Sequence, residues 1–289
     1  MTRLNLSIPM FAQHVVIYVA IWVLGFPMLV ESKEFDCLIE PNQTVEIRSP
    51  VEGLIDSVHV ERGATTKAGQ VLVQLQSDVE RSNMETAKYR SEMTGRINAA
   101  RNRLAFATKK FNRAQQLYKD KFVSIQEVDE AETEKRLADS ELDEAIESQE
   151  LAKREYSGAI HQLNLRTLRS PFDGYVVDRL LNPGDLAESG TGRKPILKIA
   201  QINPLKVEVF LPQEAYGHIK LNSKATVVAD GFEGKYVGQV TIVDKVVDAA
   251  SGMFGVRLEL ANPNGTLPGG IRCEVEFLSG VPQATGTEK

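Results

Sequence analysis

The sequence is short of the residues that build reactive sites. Its four histidines, His14, His59, His161 and His218, are scattered without the spacing of metal ligands. Nowhere does a nucleophile fall beside a base and an orienting group, which argues against an enzyme. Asp173, Asp178 and Asp185 belong to turns, and Asp244 and Asp248 bracket a bend without further acidic partners. Basic clusters interleaved with aromatics are missing, and a net charge of −5 gives no general attraction to nucleic acid. Cysteine is nearly absent: Cys37 and Cys273 lie near opposite ends of the chain, and a disulfide and two free, buried residues both stay open.

What is present fits folded domains. A chain of 289 residues fills one large core or two to three modest ones, and 42% hydrophobic with 25% charged residues is ordinary for them. Near the start, Arg3 precedes the uncharged run Val15 to Val30. That run suits the core of an export signal, and extended back to Ile8 it suits an uncleaved anchor. Residues 1–32 are therefore expected to be a signal peptide or membrane anchor, followed by a linker strand over 33–42. Cys37 has no lipid-attachment signal around it.

The chain is organised around an interruption. Ser49-Pro50-Val51-Glu52-Gly53 returns as Ser170-Pro171-Phe172-Asp173-Gly174, and the same offset of 121 residues links Gly63 to Gly184 and Gly69 to Gly190. Two matched half-motifs are most simply halves of one β domain, 43–77 and 167–200. In the first half Thr44 to Arg48 alternates as a strand, and Leu54 to Val60 reads as a second, with Ile55, Ser57 and His59 on one face and Leu54, Asp56, Val58 and Val60 on the other. Such short strands make no stable core alone. In the second half, Tyr175 to Leu180 and Ile196 to Ile199 correspond to the strands after Gly53 and Gly69.

Between the halves, residues 78–166 read as two long helices of roughly 40 residues, each about 60 Å long. Met93, Ile97, Ala100, Leu104, Ala107, Phe111 and Ala114 alternate spacings of four and three, the rhythm of a coiled-coil seam. Val128, Ala131, Lys135, Ala138, Leu142, Ala145, Gln149, Ala152, Tyr156, Ala159 and Leu163 keep it on the second helix. Residues 78–119 hold ten Lys or Arg against four Asp or Glu, and 125–166 hold five against twelve, so the two helices attract one another as an antiparallel pair. Ser124 followed by Glu127 forms a capping box for the second helix. Phe122 and Val123 lie at the tip, where they either staple the turn or touch another protein.

From Leu205 onward strands are expected at 205–211, 224–229, 235–243, 253–260 and 271–278, with a helical turn at Pro212 to Tyr216. Their spacing indicates a small barrel or sandwich over 201–280, with a loose tail at 281–289.

The arrangement resembles the periplasmic adaptor proteins, or membrane fusion proteins, of tripartite efflux systems, most closely those serving resistance-nodulation-division pumps. Three features coincide: a split lipoyl-like (barrel-sandwich hybrid) domain, a helical hairpin inserted between its halves, and a following β-barrel. The resemblance implies a mainly β fold with a long coiled-coil insertion, and a scaffold without a cofactor. It implies a location in the periplasm of a Gram-negative bacterium, held to the inner membrane by an N-terminal anchor or by the pump. The partners it implies are an inner-membrane efflux transporter, a trimeric outer-membrane channel and further copies of the chain, six in the complex, with no nucleic acid. Family hairpins dock through an Arg, Leu, Ser signature, which Arg113, Leu117 and Ser124 match in spacing, with Ala131 where a further Leu is usual. Phe122 and Val123 would then lie at the channel joint, and turns at Gly53, Gly63, Gly69, Gly174 and Gly184 would shape the ring-forming lipoyl-like domain. Only 33–42 and 280–289 are left for the membrane-proximal domain of many such adaptors, so barrel and lipoyl-like surfaces are expected to seat the protein on its pump. The same architecture serves ATP-driven exporters, and a hairpin of this kind could also pair with itself as an envelope coiled coil without a channel.

Overall fold

The computed structural model describes Thr2 and residues 34–190 and 193–278. The signal or anchor expected at 1–32 and the tail at 281–289 fall outside these residues. Among the described residues no helix is long and apolar enough to cross a membrane. The chain divides into two compact units, one comprising 41–205 with 262–269, the other 34–40, 206–261 and 270–278.

The first unit is built on the internal repeat. Strands β2 (Gly53–Val58) and β6 (Gly174–Arg179) stand 121 residues apart and have the same burial pattern, as do β3 (Thr65–Thr66) and β7 (Leu186–Ala187). Each half pairs with the other. β3 lies antiparallel to β6 and β7 antiparallel to β2, with Thr66 opposite Gly174 and Ala187 opposite Gly53. Turn backbone is exchanged in the same way: the Gly63 N–H donates to the Val176 carbonyl at 2.9 Å, and the Gly184 N–H donates to the Ile55 carbonyl at 2.8 Å. Both glycines have φ near +90°, a left-handed conformation that a side chain would strain. Gly69, also left-handed, donates to the Ser170 carbonyl at 2.8 Å. Ser49 and Ser170, both buried, fold their hydroxyls onto the carbonyls of Val51 and Phe172. Because each half supplies the other's hydrogen-bond partners, neither closes a sheet alone.

Strands β4 (Val71–Leu75) and β5 (Thr167–Arg169) complete this domain, and its core collects Ile55, Val60, Leu72, Leu75, Val176, Leu197 and Ile199. Val60 is buried on the same side as Ile55, against the strict alternation expected for Leu54 to Val60. A register shift between Ile55 and Ser57 in the pairing of β2 with β4 adds a residue, and one extra residue reverses the faces beyond it. The repeat carries the same irregularity between Val176 and Asp178.

The hairpin leaves β4 and re-enters at β5. Its outgoing arm is two helices, α1 (Asp78–Glu92) and α2 (Gly95–Lys119), and its return is the single 40-residue α3 (Ile125–Asn164). The one long outgoing helix expected from the sequence is thus broken at Met93-Thr94. Met93 turns to an extended conformation (φ −68°, ψ 118°), and Gly95, a poor helix former, restarts the helix. The seam changes phase there. On α1 Glu80, Met84, Ala87 and Ser91 face inward, and Ile97 resumes the contact on α2. Met93, expected in the seam, is 56% exposed. Both polar seam residues have a physical reason. The Gln149 amide donates to the Met93 carbonyl freed by the break, at 3.3 Å, and the Lys135 ammonium lies 5.5 Å from the centre of the Phe111 ring.

The second unit is a closed barrel. β12 (Ile271–Phe277) pairs antiparallel with β9 (Lys224–Ala229), β9 with β10 (Tyr236–Val243), and β10 with β11 (Met253–Leu260). The outer members are the Glu34–Glu40 part of β1 (Glu34–Ile47) and the Lys206–Pro212 part of β8 (Leu197–Pro212), and pairing between β1 and β8 closes the ring. The linker expected at 33–42 is therefore a barrel strand, and the two strands expected at 196–199 and 205–211 are one. Alternate residues fill the interior, among them Ile39, Val209, Leu211, Val227, Leu258 and Val275. Phe35 meets Phe277 edge-on at 6.4 Å, and a 3-10 turn at Gln213–Ala215 carries Tyr216 against Phe254 at 5.3 Å. Cys37 and Cys273, directly opposed on β1 and β12, are joined by a disulfide.

Candidate docking site

The candidate site is the hairpin tip, and its geometry follows from how two helices end. At the end of α2, Lys121 adopts a left-handed conformation (φ 65°) and its N–H donates to the Tyr118 carbonyl at 2.9 Å. The Phe122 N–H reaches the Leu117 carbonyl at 2.8 Å. This pair of bonds is a Schellman motif, which satisfies two carbonyls that a helix terminus leaves unpaired. Glycine normally fills the left-handed position because it has no Cβ. Here lysine does, so the sequence gives no glycine signal, and Lys121 was not legible as a structural residue.

Ser124 begins α3. Its hydroxyl accepts the Glu127 N–H at 3.4 Å, which is one half of the expected capping box; the reciprocal bond from the Ser124 N–H to the Glu127 carboxylate does not form. Leu117, Phe122, Val123 and Ser124 are thus gathered within one turn of chain reversal, while Arg113 stands one helical turn below Leu117 on α2 and points to solvent. Leu117 and Val123 are half-buried. Phe122 is 77% exposed, and with it Ile125 at 53% and Tyr118 at 43%. Ile125 and Tyr118 were not read from the sequence as tip residues, although an isoleucine directly after a cap, outside the seam rhythm, was the available signal.

Ala131 lies elsewhere. It is 2% exposed and packs with Ala114, Val128 and Phe111 in a small cluster just below the tip. The fourth signature position is therefore part of the seam between the helices.

Charge holds the two arms in register. Lys110 on α2 donates to the Glu134 carboxylate at 2.6 Å and Arg103 meets Glu141 at 3.1 Å. The Glu134 hydrogen bond and charge raise the Lys110 ammonium above its ordinary value. These pairs are exposed and specify the partner helix more than they stabilise it. Among the described residues no group of His, Cys, Asp and Glu is arranged to hold a metal ion.

A two-part β domain interrupted by a coiled-coil hairpin and followed by a barrel defines the membrane fusion protein architecture. The chain belongs to the CzcB-like barrel-sandwich hybrid family, whose model matches residues 43–200. Among solved structures, MacA from Actinobacillus actinomycetemcomitans shares the fold with a TM-score of 0.70 at 20% identity, over 85% of this chain and 79% of that one. The membrane fusion protein Spr0693 from Streptococcus pneumoniae R6 does so with a TM-score of 0.60 at 18% identity, over 86% and 99%. Among curated proteins, the multidrug resistance protein MdtA of Klebsiella pneumoniae subsp. pneumoniae is 28% identical over 233 residues, 78% of this chain and 53% of its own length. The chain spans about half or less of the length of the curated relatives it matches.

Proposed function

We propose that this chain is the adaptor subunit of a tripartite efflux assembly, bridging an inner-membrane transporter to an outer-membrane channel across the periplasm. The observation that carries the reading is the tip. Apolar side chains such as Phe106 and Leu137 are exposed along the arms as well, but at the tip Phe122, Ile125 and Tyr118 are exposed together on one chain reversal, between the Schellman motif that ends α2 and the Ser124 cap that starts α3. Exposed aromatic and aliphatic side chains on a fixed backbone are what a protein joint needs.

In this reading the pump is of the resistance-nodulation-division class, the channel is trimeric, and six adaptors line the conduit. Family membership and the likeness to a multidrug resistance protein support the class of pump. The lipoyl-like domains form a ring, the hairpins a tube, and the chain itself is a scaffold that seals the passage and catalyses nothing. Arg113, Leu117, Phe122, Val123 and Ser124 form the channel-facing end, and the left-handed turns at Gly63 and Gly184 hold the ring-forming domain in shape.

Photo-crosslinking from residue 122 in intact cells tests this reading. An outer-membrane channel in the adduct is the expected result. Adducts confined to other copies of the chain would replace it with a self-associating coiled coil.

A further inference from the structure

Strands β1 and β12 pair in a register that sets acid against acid. Glu34 faces Glu276 and Asp36 faces Glu274, while the alternate pairs, Phe35 with Val275 and Cys37 with Cys273, are buried in the barrel. Opposed side chains on antiparallel strands have Cβ atoms about 5 Å apart, and like charges there destabilise the pairing. From the other side of β12, β9 offers Thr226 and Val228 opposite Glu276 and Glu274, and the chain leaving β9 brings Asp230, whose N–H donates to the Arg272 carbonyl. The charge of Glu34, followed by burial, Asp230 and Asp36, pushes the Glu274 carboxyl above its ordinary value.

Two nearby cations, Lys206 and Arg257, are paired with other carboxylates. Lys206 on β8 is held by Glu40 at 2.8 Å and Glu208 at 3.2 Å, and Arg257 by Glu208 at 2.7 Å. Arg272, two residues before Glu274, is opposite Leu38. Among the described residues neither Arg272 nor Lys224, at the start of β9, makes an ion pair with Glu34, Asp36, Glu274 or Glu276. A covalent tie occupies the next position: Cys37 and Cys273, with Cα atoms 4.8 Å apart, link positions separated by 236 residues.

We propose that the Cys37–Cys273 disulfide is a clasp on a repulsive strand pair: closed, it holds β1 to β12, and opened by a dithiol, it lets Glu34–Glu40 part from β12 at neutral pH but not in acid. Opening is thiol–disulfide exchange. A thiolate of the dithiol attacks one cysteine sulfur and expels the other as thiolate, which takes up a proton. The second thiol then resolves the mixed disulfide, leaving two cysteine thiols and an oxidised, cyclic reagent. The sulfurs belong to buried residues, so the clasp is protected while the strands are paired. The seam between β1 and β12 would thereby report both the redox state and the acidity of its compartment.

The test is hydrogen exchange by mass spectrometry on the full chain, oxidised or reduced with dithiothreitol, at pH 7.5 and at about pH 4, where exposed carboxylates take up protons, after correction for intrinsic rates. At pH 7.5, reduction is expected to speed exchange in 34–40 and 271–277 at least tenfold and to leave β10 and β11 protected. At about pH 4 the reduced chain should recover part of that protection. The combined variant Glu34→Gln, Asp36→Asn, Glu274→Gln should keep its protection at pH 7.5 even when reduced, and its oxidised form controls for folding. A Cys37→Ala, Cys273→Ala chain should behave as the reduced protein without any reagent. The proposal is overturned if reduction leaves β1 protected, if β10 and β11 lose protection to the same degree, or if neither acid nor charge removal restores the pairing.

Discussion

The Arg166 guanidinium donates to the Glu80 carboxylate at 2.6 Å, with only about a fifth of either side chain exposed. Its other nitrogen donates to the Glu52 carbonyl at 2.9 Å, in the turn just before β2. One side chain thus ties the start of α1 and the end of the returning arm to the lipoyl-like domain. Arg166→Ala is expected to destabilise this unit by about 2 kcal/mol, the usual range for a charge-assisted hydrogen bond left half-buried without its partner. Gly53 provides a stringent companion test, because a Cβ there would approach the Arg166 guanidinium to 2.5 Å. Gly53→Ala should be costly in the wild-type chain and nearly neutral in the Arg166→Ala background. Additive losses in denaturant unfolding would show that the glycine is needed for another reason.

Lys121 occupies a position that favours glycine. Lys121→Gly should stabilise the tip by up to about 1 kcal/mol by removing the left-handed strain of a residue with a Cβ. Slower hydrogen exchange at the end of α2 would show it. Faster exchange there would mean that the lysine side chain makes a contribution larger than the strain it imposes.

Ala131→Leu supplies the residue usual at that position of the docking signature, but its place in the seam predicts harm to the hairpin. Three extra carbons against Ala114 and Val128 force the helices apart, at a cost of about 1–3 kcal/mol. The expected signature is loss of helical circular dichroism at a lower temperature. A more stable hairpin would show that the seam has room that the packing does not reveal.

Glu208 and Glu274 lie in one barrel and respond to acid in opposite senses. Burial pushes the Glu208 carboxyl up, but hydrogen bonds from Arg257 and Lys206 outweigh it and hold the group below its ordinary value. Stability from a depressed carboxyl is present above the unfolded value, about 4.3, and is lost as pH falls through the lower folded value. Glu274 is raised, so its destabilising charge acts above the folded value and is relieved as pH falls toward the unfolded one. Glu208→Gln should lower the melting temperature at pH 7 and converge with wild type below pH 4, while Glu274→Gln should raise it at pH 7 and converge near pH 4. Parallel pH profiles for both variants would contradict these assignments.

Much of the first unit was legible because its information is local and repeated. The offset of 121 residues in the sequence reappears as the spacing of β2 from β6 and of β3 from β7, and the seam residues from Ile97 to Ala114 and from Val128 to Leu163 all face inward or half inward. What escaped the sequence depends on partners far along the chain. The irregularity after Ile55 is set by pairing with β4, and no pattern within Leu54 to Val60 announces it. The segment Glu34 to Glu40 becomes a barrel strand only because β12, more than two hundred residues later, lies beside it. The break at Met93-Thr94 was visible only as Gly95 and as Gln149, one of two polar residues, with Lys135, in a mostly apolar row. At the tip, Phe122 and Val123 were readable because a hairpin end has no core, whereas Ile125 and Lys121 required the geometry of the helix ends.

The strands that carry the hairpin, β4 and β5, are hydrogen-bonded to each other, and the Leu75 N–H donates to the Arg166 carbonyl at 2.8 Å where the two arms meet the domain. The ends of the insertion are thus already neighbours within the sheet. Replacing the whole hairpin by a tight turn would leave the domain's own ladder closed, and lengthening or shortening both arms by matched sevens would preserve the seam. Reach is therefore a dimension that can change independently of the platform bearing it, so one lipoyl-like base can serve spans of different depth.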